Sequence, residues 1–295
     1  MSESTMTRRD FLRTTGAAAL VGTARMSLLA EQNAQNKARI ILIRHENVVD
    51  KDGKVDRAII EEMLDEAMVK LFNVESADKA WTQIVKPSDV VGIKTNVWRY
   101  LRTPLELEDA MKRRIMAAGV QEKNIDIDDR GVLSNPIFAQ ATALINARPM
   151  RAHNWSGVGG CLKNYIMFTP NPPDYHPESC IDLGALWKLP IVNGKTRLNI
   201  LVMLTPQFHC LGPHHFDKEF TWPYKGMIVG TDPVAVDAVG LKIIEAQRTV
   251  YFKEETPMRP PVRHIKAAQE KHGIGIADPR RIDLVKVGWT EGILI

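Results

Sequence analysis

Gly226-Met-Ile-Val-Gly-Thr-Asp-Pro-Val-Ala-Val-Asp-Ala-Val-Gly-Leu-Lys-Ile-Ile244 is the stretch from which the fold is read. Residues 227–229 form a short apolar run of the kind a buried strand requires. Gly230 interrupts it, Asp232 is a helix-capping residue type, and Pro233 suits the first helical position, where its missing N–H costs nothing. Val236, Val239, Leu241, Ile243 and Ile244 then supply an apolar helix face. The local reading is strand, tight turn, helix. It places Thr231 and Asp232 at the carboxyl end of the strand, the edge where open α/β sheets bind ligands.

Working outward, the same alternation recurs on both sides. Residues 39–43 and 90–93 are apolar strand-like runs, 124–127 is a third, 198–204 a fourth and 282–287 a last one. Between them, Ile59, Ile60, Met63, Leu64, Ala67, Met68, Leu71 and Phe72 follow helical spacing, with Asp56 as a candidate cap. A second helix fits 105–118, acidic at its start, basic near its end and stopped by Gly119. A last helix fits 262–272. Strand–helix repeats with short connections predict an α/β fold, a mostly parallel sheet with helices on both faces. Residues 131–190, rich in Gly, Pro and Asn, read as a loop-rich central insertion, and 39–295 as a single domain around it.

The chain has 295 residues, 44% hydrophobic and 25% charged, with a formal charge of +4. A balance so near neutral gives no support to nucleic-acid binding. At the N-terminus, Thr7-Arg8-Arg9-Asp10-Phe11-Leu12-Arg13 is a twin-arginine sequence followed by a short, mildly apolar stretch. Residues 1–30 read as a twin-arginine signal peptide and 31–38 as a polar leader, which implies a periplasmic or otherwise extracytoplasmic protein. The apolar stretch falls short of the about 20 residues a spanning helix needs, and the mature chain is expected to carry no membrane span.

Several short pieces, in order, resemble the family known as domain of unknown function 362. They are Trp81 with Lys86-Pro-Ser-Asp-Val-Val-Gly-Ile-Lys-Thr-Asn96, then Ala118-Gly-Val120, Asn124-Ile125 and Asp129-Arg130. Gly159-Gly-Cys-Leu-Lys-Asn164, Leu198-Asn-Ile-Leu201 and Gly230-Thr-Asp-Pro-Val-Ala-Val-Asp-Ala-Val239 complete the set. The resemblance covers roughly residues 39–290 and implies an α/β fold. It also implies a redox setting, because family members often carry an added iron–sulfur module, and so a redox partner protein. This chain has only Cys161, Cys180 and Cys210, too few for an in-chain four-cysteine cluster.

Four groups of residues are candidates for chemistry. Lys94 and Asn96 end one expected strand, Asp129 and Arg130 another, and Thr231 and Asp232 a third. If those strands are neighbours, one rim holds a small anionic ligand, with Lys94, Lys163, Asp129 and Asp232 as the catalytic set. Asn96, Arg130, Gly159, Gly160 and Asn164 are its anion-binding companions, the glycines allowing backbone N–H groups close to an oxyanion. For Asp232 helix capping alone is a sufficient account, and for Asp237 a structural hydrogen bond is the simpler one. His209, Cys210, His214 and His215 form a candidate divalent-metal loop, although their spacing matches no standard zinc signature. Cys161 is a nucleophile only if a base is positioned beside it, and a buried inert thiol is the simpler reading. Trp98, Tyr100, Trp155, Tyr165, Trp222 and Tyr224 flank these loops as candidate pocket walls. The expected function is an exported small-molecule enzyme with an anion-holding rim and a metal or redox step. The alternative is a non-catalytic periplasmic binding or accessory protein of an iron–sulfur or metalloenzyme complex, which would expose an apolar patch around Trp222 and Tyr224.

Overall fold

Ile40 and Leu42 pack into one hydrophobic cluster while Ile41 and Ile43, their alternates along the same strand, pack into another. A strand buried on both faces reads as a continuous apolar run, and its period of two divides the run between two cores. This is the organisation of the whole computed structural model, which describes residues 37–212 and 214–295. The expected signal peptide and most of the polar leader lie outside the described residues.

Eight strands form one sheet: β1 (Ala38–Arg44), β2 (Val91–Lys94), β3 (Ile125–Asp128), β4 (Ala143–His153), β5 (Gly157–Gly159), β6 (Thr196–Gln207), β7 (Gly226–Gly230) and β8 (Ile282–Gly288). Their order is β3-β2-β4-β6-β7-β1-β8, with β5 paired to the far end of β4. Helices α1 (Arg57–Phe72), α2 (Ala77–Trp81) and α3 (Leu105–Ala117) cover one face. The short α4 (Pro136–Gln140) and α5 (Cys161–Asn164), with the long α6 (Pro233–Phe252) and α7 (His264–Glu270), cover the other. Residues Ala38–Ile295 form one compact unit. No helix among the described residues is long and apolar enough to cross a membrane.

The expected caps are in place. The Asp56 carboxylate accepts from Ile59 N, and that of Asp232 from Val234 N and Ala235 N, with Pro233 in the first turn.

Two expectations are corrected. Within the span read as loops, β4 is an eleven-residue strand buried at every position, lying between β2 and β6. Asn146, Arg148, Pro149, Arg151 and His153 disguise it, because buried central strands rarely carry such residues. Pro149 is tolerated where the β4–β6 register shifts, between Pro149 and Arg151.

The second correction concerns direction. β7 is antiparallel to both neighbours, β6 and β1, whereas the other strands on the main path run parallel to one another. Thr231 and Asp232 therefore leave the sheet toward the amino ends of the parallel strands. Among its described residues the β6–β7 connection contains only a 3-10 turn, Lys218–Phe220, and no crossover helix to return the chain for parallel pairing.

Candidate functional site

Lys94 ends β2 and Asp128 ends β3, with the two paired in register. The next residue, Asp129, turns back so that its Oδ1 accepts from Lys94 Nζ at 2.5 Å and its Oδ2 from Val97 N at 2.9 Å. Lys94 Nζ also donates to Thr95 O at 2.8 Å. The Lys94 side chain is wholly buried and that of Asp129 nearly so. Burial pulls the Lys94 ammonium down to about 8, although the Asp129 carboxylate favours its charge.

A chain of asparagines ties this pair to the rest of the sheet. Asn164 Nδ2 donates to Lys94 O and, at 2.8 Å, to Asn146 Oδ1. Asn146 Nδ2 donates to Cys161 O and to Asn199 Oδ1, and Asn199 Nδ2 reaches Thr231 O. Each link satisfies a buried amide, so the network locks β2, β4, β6 and the turn after β7 together.

The glycine-rich turn Gly157-Val-Gly-Gly160 does cradle an anion, but that anion belongs to the protein. The Asp237 carboxylate, one turn into α6, accepts from Cys161 N at 2.6 Å and Leu162 N at 2.9 Å. A Cβ on Gly160 would collide with that carboxylate, and one on Gly159 would lie 2.6 Å from Arg148 Nη2. Gly159 and Gly160 are therefore glycines for close internal approach, to Arg148 and Asp237, and neither lines the cavity described next. Burial raises Asp237 to about 7, against the opposing pull of the two N–H groups and Arg148.

Above this platform lies a cavity of about 200 Å³. Lys163, Asn164, Asp129, Asn96 and Arg130 line it, as the sequence led one to expect. Arg148, Arg151, His153 and His176 line it too, none of them among the residues singled out from the sequence. Trp98 and Trp155 are walls, while Tyr165 and Tyr224 are fully buried in the core instead. The Arg151 guanidinium stacks on Trp98 at 4.0 Å. The Trp155 indole stands beside three imidazoles, His153, His176 and His214.

The electrostatics are one-sided. Arg148, Arg151 and Lys163 are 3%, 7% and 3% exposed. Nε of each arginine is buried without a hydrogen-bond partner, and neither guanidinium forms an ion pair among the described residues. Lys163 Nζ donates to the Cys180 thiol at 3.4 Å and to no carboxylate among the described residues. Burial pulls Lys163 down to about 8, and Arg148 and Arg151 add to the effect. His176 is held at about 4, first by burial and then by Lys163, so it is neutral near pH 7. Cys180 sits at the end of a left-handed turn: Glu178, Ser179 and Cys180 have φ of 50°, 62° and 61°. Three non-glycine residues in that region cost roughly 1–2 kcal/mol each, strain of the sort that gathers around functional sites.

Two further expected groupings are not found. Asp232 caps α6 on the other edge of the sheet, beside Gly275 and Ile276, and does not line this cavity. The histidine loop does not converge. His209 lies between Phe220 and Phe252 with Nδ1 3.2 Å from an Arg248 nitrogen, a cation that would repel a metal. His214 is at Trp155, His215 Nδ1 accepts from Leu211 N, and Cys210 is half-buried with burial raising its thiol. Among the described residues no three His, Cys, Asp or Glu side chains are placed to hold a metal ion. Cys161 is wholly buried, and burial together with Asp237 pushes its thiol well up, so it is no nucleophile. All three cysteines are free.

Arg148 had a legible signal: Asn146 and Arg148 alternate with Ile145 and Ala147, the period of a strand with one polar stripe, whereas Arg151 is out of phase with that stripe and lies past the register shift.

In comparison with known proteins, a family model described as a domain of unknown function, DUF362, matches residues 54–242. Neither the curated proteins nor the solved structures contain a match.

Proposed function

The chain belongs to the DUF362 family, and from that footing we propose that it is an exported small-molecule enzyme acting on a compact anionic substrate. The observation that carries this reading is the pair Arg148 and Arg151, buried beside each other with neither in an ion pair among the described residues; the Asp129 and Asp237 carboxylates that act on Arg148 are already engaged by Lys94 and by the Cys161 and Leu162 N–H groups. A buried cation lacking a partner costs several kcal/mol, and an anionic ligand would offset that cost. A carboxylate or phosphate held by the two guanidiniums lies between Trp98 and Trp155, with Asn96 and Arg130 at its edge. Lys163, poised near neutrality and facing the same cavity, is the group for proton transfer. Lys94 and Asp129 serve as the rigid base of the site, since both are consumed by internal hydrogen bonds.

An accessory protein would expose an apolar patch around Trp222 and Tyr224. Tyr224 is instead fully buried under the Arg44 guanidinium, and Trp222 packs half-buried against the core, which favours the enzyme reading.

The test is thermal unfolding with phosphate, sulfate and a series of small mono- and dicarboxylates. An anion at about a hundredfold over its Kd should stabilise the protein by about 2.7 kcal/mol. The Arg148→Met, Arg151→Met double variant should lose that response. No stabilisation by any anion would remove the basis of the proposal. Export is checked separately by fractionating cells that make the full chain. Arg8→Lys, Arg9→Lys should strand it in the cytoplasm.

A further inference from the structure

Two lysines of this region are in different states. Lys94 is wholly buried and held by Asp129 Oδ1, Thr95 O and Asn164 Oδ1. Lys163 lines the cavity, and among the described residues its Nζ has only the Cys180 sulfur, a weak acceptor, as a hydrogen-bond partner. Cys180 favours the charged amine, but burial outweighs it and draws Lys163 down. The left-handed turn at Glu178–Cys180 is what delivers a thiol there. Beside Lys163 stand Arg148 and Arg151, neither in an ion pair among the described residues, and the apolar faces of Trp155 and Met167. An amine that is desolvated and set next to other cations is the arrangement that turns lysine into a nucleophile.

We infer that Lys163 forms an imine with the carbonyl carbon of a 2-oxo acid whose carboxylate is held by Arg148 and Arg151. This rests on the anion-binding reading above and names its substrate class. The neutral Nζ attacks the carbonyl carbon, forming a C–N bond and a carbinolamine. The carbinolamine then expels its oxygen as water, and both hydrogens of that water balance those lost from the amine. No oxidant, reductant or metal is needed. Lys163, drawn down to about 8, is neutral in a far larger fraction of molecules near pH 8 than a lysine at its usual 10.5.

The experiment is reductive trapping. The intact protein is incubated with pyruvate, 2-oxoglutarate or phenylpyruvate and sodium cyanoborohydride, then weighed by mass spectrometry and mapped by peptide. The matching 2-hydroxy acids, which carry the carboxylate but no carbonyl, are run in parallel by thermal unfolding. The expected result is one adduct per chain, on Lys163, formed with at least one oxo acid. Its formation rate should rise with pH through about 8, the value to which Lys163 is drawn. Arg148→Met should slow the trapping by roughly tenfold or more, as loss of a charge-assisted contact would. Lys163→Arg should abolish it, and mapping on the unmodified chain keeps the test valid if that variant folds poorly. Stabilisation by a hydroxy acid without an adduct at Lys163, or label scattered over surface lysines, would overturn the imine and leave the anion site standing. An absence of both stabilisation and adduct would overturn the two together.

Discussion

Arg151 is the residue at which stability and binding should separate. Its charge is disfavoured first by burial and then by the neighbouring Arg148 guanidinium, while its contact with Trp98 needs only a flat or apolar body. Replacing an uncompensated buried charge by an apolar residue of similar volume is often neutral or stabilising. Arg151→Met is therefore expected to leave the free protein equally or more stable to urea, while its stabilisation by anions disappears. Gly160 behaves oppositely. Gly160→Ala drives a methyl into the Asp237 carboxylate and should cost roughly 1–3 kcal/mol by the same measurement. Asp237 also predicts a pH dependence. Its folded value, about 7, lies above the ordinary 3.8, so the native state holds a proton that the unfolded chain gives up. That contribution to stability is complete below about 4 and is lost as pH rises through 7. Asp237→Asn should flatten this part of the stability profile, measured by urea unfolding across the range.

At the scale of elements, direction and disguise mattered more than propensity. The strand–turn–helix at 226–252 is read correctly from its residues, yet nothing in them states that β7 runs against its neighbours. Because it does, Asp232 goes to one edge of the sheet and α6 carries Asp237 back beneath the glycine turn. Asp232→Ala should thus cost about 1 kcal/mol as a lost helix cap and leave the anion-induced stabilisation intact; loss of the response would return Asp232 to the site. β4 shows the converse difficulty. Its arginines and histidine argue against a buried strand because they line the candidate cavity, where local rules are expected to fail, and its proline does so because it sits at a register shift. The histidine loop failed for a third reason, since four ligand-type residues within seven positions say nothing of which way each side chain points.

For the whole molecule, the sheet is a rigid divider with a core on each face and the site at the carboxyl ends of β2 and β3, where β4 runs on past them. From sequence alone, the α/β class, most strands, both long helices with their caps, and the grouping of Asp129, Lys163 and Asn164 that lines the candidate cavity were legible. Each of these depends on local periodicity, turn chemistry or a short motif, and so is written within a few consecutive residues. Tertiary structure alone decided the reversal of β7, the burial of β4, and the occupation of the glycine cradle by Asp237. It also decided which cations remain without a partner. Those facts depend on pairing between residues far apart in sequence, such as Ile40 with Gly230 and Cys161 with Asp237, and a charge can be counted as uncompensated only when every neighbour from every strand is in place.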